Sequence, residues 1–157
     1  MRTLLTYSRI TFVSTEFIVL LLGLVTLCFG LKPLGAQLSN LKLDGESIRW
    51  LALGPLALTV LIFRDSRALV LPSSHRADLH SWPEYEELRI CGHVARGYGI
   101  AFSVLGIAMW IYHTTAVVQL IALGTALIGT ACDYLSVYLA EIRVNELLSK
   151  CDKPVSR

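Results

Sequence analysis

At 157 residues, with 54% hydrophobic content and a mean hydropathy of +0.59, the chain suits one domain and is too apolar for an ordinary soluble globule of that size. Its net charge of +2, with no Lys/Arg run, excludes the electrostatic footprint of a nucleic-acid binder. Four cysteines, Cys28, Cys91, Cys132 and Cys151, form no CxxC pair and have no histidine at metal-ligand spacing, which predicts free thiols packed as small apolar groups.

The first element follows Arg2 and Arg9: an apolar run from Ile10 to Leu31 interrupted only by Glu16. It exceeds the short apolar region of a secretory signal, and Leu34-Gly35-Ala36 is a poor cleavage site, so it is expected to remain as helix one. Arg9, Glu16, Gly23 and Gly30 recur every seven residues and put Glu16 on a small-residue seam. Lys32-Pro33 closes the run, and a polar connector rich in turn formers leads to helix two, expected over 48–63 between Arg49 and Arg64 and kinked at Gly54-Pro55.

A loop over 64–93 follows, and the polar stretch Arg64 to Arg96 holds five arginines, five acids and three of the four histidines. Ser81 with Glu84 fits a capping box and Pro83 suits a first turn, while Trp82, Tyr85 and Leu88 recur at helical spacing. These signals predict an amphipathic cytoplasmic helix leading into helix three, with Trp82 and Tyr85 at headgroup level. Helix three, over 94–112, aligns Gly92, Arg96, Gly99, Ser103 and Gly106 on one face. Only Tyr112, His113 and Thr114 separate it from helix four, over 114–135, which predicts an antiparallel helix 3–helix 4 hairpin.

Thr114 to Cys132 carries nineteen residues without a charge, long enough for a hydrocarbon core of roughly 30 Å at about 1.5 Å per residue. As a helix it lines up Thr115, Ala122, Ala126, Gly129, Asp133, Ser136 and Ala140. Small residues let neighbouring helices approach closely in lipid, so this face predicts a bundled helix. The helix is expected to continue out to about Leu148, within a cytoplasmic tail over 143–157.

The fold class expected from this pattern is an all-α integral membrane protein, a single four-span domain over 1–157 forming a four-helix bundle. Eleven of the fourteen Lys and Arg residues fall on the side of the termini and the long loop, which puts both termini in the cytoplasm of, by expectation, a bacterial inner membrane. Glu16, Arg96 and Asp133 share the inner-leaflet depth on small-residue faces. A charge at the bilayer centre costs at least about 2.5 kcal/mol, which predicts an intramembrane cluster with Arg96 clamping Asp133 or Glu16.

Catalytic motifs are absent: His75, His80 and His93 make no compact ligand set, Ser73-Ser74-His75 lacks nucleophile-elbow glycines, and no Gly-rich phosphate loop occurs. No enzyme activity, cofactor, metal or nucleic-acid partner is expected. Besides the lipid bilayer, the expected partners are copies of the chain or other subunits of a membrane complex. The leading expectation is a non-enzymatic membrane subunit that oligomerises and docks a cytoplasmic partner, as an accessory subunit or as part of an exclusion, immunity or defence system. Trp82, Tyr85, Leu88, Arg89, Tyr138 and Ile142 are the expected contacts. The alternative is a small proton- or cation-coupled transporter or channel using Glu16 and Asp133.

Overall fold

In a computed structural model, which describes Thr11 and residues 14–29, 45–70, 83–112 and 115–151, the chain is helical throughout the described residues. Four helices follow in order: α1 (Thr15–Phe29), α2 (Gly45–Val70), α3 (Pro83–Ile111) and α4 (Ala116–Cys151). Three carry stretches long and apolar enough to cross a membrane: Glu46–Arg67, Tyr85–Ile111 and Ala116–Glu146. Helix α1 is apolar but has 15 residues, about 22 Å at the helical rise. Apolar side chains on its outer surface, such as Leu22 and Phe29, are largely exposed, as they must be where lipid takes the place of water.

Local signals explain where the helices begin and end. Ser14 accepts the Phe17 amide on its Oγ at 3.2 Å, an N-cap that starts α1 at Thr15 and places Glu16 in the first turn. There the helix dipole favours its negative charge. Helix α2 outruns the expected 48–63 at both ends and passes unbroken through Pro55. Nothing stops it at Arg64, whose Nε instead bonds Asp65 at 2.7 Å, while Ser66 one residue later is buried. Gln119 of α4 donates to the Met109 carbonyl at 3.2 Å, satisfying a carbonyl of the last turn of α3 and tying the two helices together.

Helices α2, α3 and α4 pack against one another, and α1 packs on α4. The small-residue faces expected from periodicity supply these contacts. Gly92, Gly99, Ser103 and Gly106 of α3 are buried, as are Ala122, Ala126, Gly129, Asp133 and Ala140 of α4. A methyl group on Gly129 would enter the ring of Phe102, which is fully buried, and one on Gly23 would collide with Thr125. On Gly106 it would come within 3.2 Å of the Ala52 carbonyl oxygen. These glycines let the backbones approach closely enough for dispersion to hold helices that gain nothing from leaving lipid. Thr26, Thr125 and Thr130 return their hydroxyl protons to the carbonyl four residues earlier, which satisfies these three hydroxyls within their own helices.

Candidate functional site: an acidic crevice between α1, α3 and α4

Two polar clusters occupy the interior, at different interfaces. At the α2–α3 junction Thr59 Oγ1 donates to the Gly99 carbonyl at 2.9 Å and lies 2.8 Å from Ser103 Oγ, which can donate to it in turn. Both residues are buried, and both hydroxyls are satisfied. One turn towards the start of α3, Arg96 donates through Nε to Ser66 Oγ at 2.8 Å and holds its guanidinium 5.3 Å from the centre of the Phe63 ring.

The expected clamp from Arg96 to Asp133 or Glu16 is therefore not formed. Arg64 pairs with its neighbour Asp65, while Arg96 makes no ion pair with either acid. Equal depth along two helices leaves the direction around each helix open, and Arg96 turns towards α2, where Ser66 offers an acceptor. Glu16 and Asp133 do come together. They line one cavity of about 190 Å³ with Ser14, Cys91, Ala95 and Ser136.

Within it Ser136 donates to Glu16 Oε1 at 2.7 Å and also lies 3.0 Å from the Cys132 carbonyl. A hydroxyl has one proton, so it cannot serve both acceptors fully. A protonated Glu16 would reverse the first bond and free the Ser136 proton for the carbonyl. Asp133 is 0% exposed, and neither of its carboxylate oxygens has a hydrogen-bond partner among the described residues. Its nearest backbone neighbour is Gly99 of α3, where a Cβ would stand 3.4 Å from Oδ2. A buried carboxylate with no donor is among the costliest groups a fold can carry unless a proton or a cation compensates it. Two carboxyl groups brought into one crevice can hold a proton or a cation.

Of the residues expected to meet a partner, Tyr85 is 5% exposed and sits in the core with Ile62, Ala95, Val137, Ala140 and Val144. Spacing along α3 alone does not reveal that this aromatic belongs to the core. Leu88 is half-buried against the same cluster. Arg89, Tyr138 and Ile142 are exposed. Trp82 lies outside the described residues, as do Tyr7, His75, His80 and His113. At the other end of the bundle Trp50, Trp110 and Tyr112 are exposed, with the Arg49 guanidinium 5.7 Å from the centre of the Trp110 ring. No group of three His, Cys, Asp or Glu residues able to hold a metal occurs among the described residues. Cys28, Cys91 and Cys132 are free thiols. Comparison with known protein families, curated proteins and solved structures returns no match.

Proposed function

We propose that the chain is a small proton- or cation-coupled transporter or channel of a bacterial inner membrane, with Glu16 and Asp133 as its working groups. The observation that carries this reading is Asp133, fully buried, with no side-chain donor among the described residues, and in one cavity with a second carboxylate. A monocation together with one proton would leave the pair neutral, which makes exchange of the second proton for the cation a natural step. Arg96 is engaged with Ser66 and does not occupy the crevice.

The reading includes four spans, an antiparallel α3–α4 hairpin and both termini in the cytoplasm. The charge distribution along the chain supports this orientation, as does the exposed aromatic group Trp50, Trp110 and Tyr112 at the opposite end. Apolar residues preceding α1 in sequence, Ile10, Phe12 and Val13, would complete the fourth span. In this orientation the acidic crevice opens towards the inner leaflet. Flux of protons or small alkylammonium ions into proteoliposomes tests the proposal. Flux above that of protein-free vesicles is expected, and none under either a pH gradient or a membrane potential would refute it.

A second reading, a membrane subunit that oligomerises and docks a cytoplasmic partner, is favoured by the exposed Arg89, Tyr138 and Ile142. The small-residue seams give it less support, because Gly23, Gly99, Gly106 and Gly129 meet neighbours within the same chain. Native mass spectrometry in mild detergent separates the two: a persistent single copy with no bound protein would count against the subunit.

A further inference from the structure

Helices α1, α3 and α4 border a second cavity, a half-open groove of about 400 Å³ lined by Leu20, Gly23 and Leu24 of α1, Phe102 and Leu105 of α3, and Thr125 of α4. Its size falls within the range of small-molecule sites, roughly 300–1,000 Å³. Its position relative to the acidic crevice is the same on all three helices. Gly23 lies seven residues beyond Glu16, Phe102 seven beyond Ala95, and Thr125 eight before Asp133. At the helical rise these offsets amount to about 10–12 Å. The two cavities are therefore stacked along one seam, acidic at one end and apolar at the other. Tyr98 stands beside them, its ring stacked on Phe102 at 6.2 Å and its hydroxyl donating to the Thr11 carbonyl at 2.9 Å. Because α1 leans on α4 rather than on α3, the apolar cavity is bounded by the looser of its two helix contacts.

We propose that this seam binds an amphiphilic primary ammonium ion, its head between Glu16 and Asp133 and its apolar tail in the larger cavity. The inference rests on the reading of Asp133 as a cation-binding carboxylate and adds the class of ligand. Charge complementarity selects the occupant. An ammonium head brings a positive charge and three N–H donors to a crevice whose buried oxygens lack them. A lipid tail gains little in the apolar cavity over the bilayer, which is equally apolar, and an anionic headgroup meets two carboxylates. A head that the bilayer cannot satisfy and the crevice can gives the amphiphile its preference for this place.

The test uses the full chain in lipid nanodiscs and dodecylamine carrying a photoreactive diazirine near the end of its tail, with the corresponding alcohol as a neutral control. Labelling is expected on the Leu20–Leu27 and Ala101–Ala108 stretches, competed by unmodified dodecylamine and not by dodecanol. It should fall about tenfold when Glu16→Gln and Asp133→Asn are combined and persist in Asp133→Glu, which keeps the acid. Equal labelling by the alcohol, or labelling spread over lipid-facing positions such as Ile128 and Leu135, would make lipid tails the occupant and overturn the proposal. Protection of Asp133 from a carbodiimide by methylammonium, measured in the same nanodiscs, shows which claim has failed. If protection survives while selective labelling does not, the amphiphile is excluded and the cation site stands; if both are missing, the cation site falls too.

Discussion

The α2–α3 junction and the α1–α4 seam bury polar groups equally well and treat them in opposite ways. At the first, Thr59, Ser103 and the Gly99 carbonyl form a closed set in which each hydroxyl is paired, and Arg96 finds Ser66 nearby. At the second, Glu16 shares the single proton of Ser136 with a carbonyl, and Asp133 has no side-chain donor among the described residues. Burial alone does not tell interhelical glue from a working group. On the proposed reading the balance of donors and acceptors does: a satisfied set holds helices in register, whereas acids short of donors are open to a proton or a cation.

Replacing Asp133 by Asn should break the contrast most visibly. Cation flux is expected to fall roughly 10–100-fold, since a hydrogen bond to a charged group is worth about 1.5–3 kcal/mol. Stability in reversible detergent unfolding should not fall, because the substitution removes an unpaired buried charge while keeping the shape. A large loss of stability with flux intact would assign Asp133 to the structural class.

Gly129→Ala acts on packing alone. The added methyl meets the buried ring of Phe102, and the fold should lose about 1–3 kcal/mol as ring or backbone gives way. An unchanged unfolding midpoint would mean that α3 and α4 are not in close contact there. Thr59→Val removes both hydrogen bonds of the Thr59 hydroxyl and should cost about 1–2 kcal/mol, with flux retained, as Ser103 can turn to its own helix. The smallest expected effect separates the two regions directly. A double-mutant cycle between Arg96→Met and Asp133→Asn should give a coupling below about 0.5 kcal/mol, the scatter of independent sites. A coupling of several kcal/mol would restore the ion pair that sequence reading expects.

Periodicity made the helix faces readable. The alignment of Gly92, Gly99, Ser103 and Gly106, and of Ala122, Ala126, Gly129 and Asp133, follows from 3.6 residues per turn, and these residues are buried. Glu16 and Asp133 could be singled out for the same reason, as acids on small-residue faces. What periodicity does not carry is which neighbour each face meets. Arg96 shares a depth with Asp133 yet turns to Ser66. Tyr85 has the spacing of an interfacial aromatic yet is buried in the core cluster with Ile62, Val137 and Val144. The length of α2 was hidden because no proline, glycine or cap marks its end between Arg64 and Val70, and charged residues there read as a loop.

The most direct measurement is chemical modification of the carboxylates in the membrane. A hydrophobic carbodiimide, which reaches carboxyl groups in apolar surroundings, is applied to the protein in bilayers with and without an alkylammonium ion, and modified peptides are mapped by mass spectrometry. The account predicts that Asp133 is modified and that the cation protects it, while exposed Glu86 and Glu87 show no such protection. Modification of Asp133 that is indifferent to the cation, or protection of Asp133 that persists undiminished in Glu16→Gln, would contradict it.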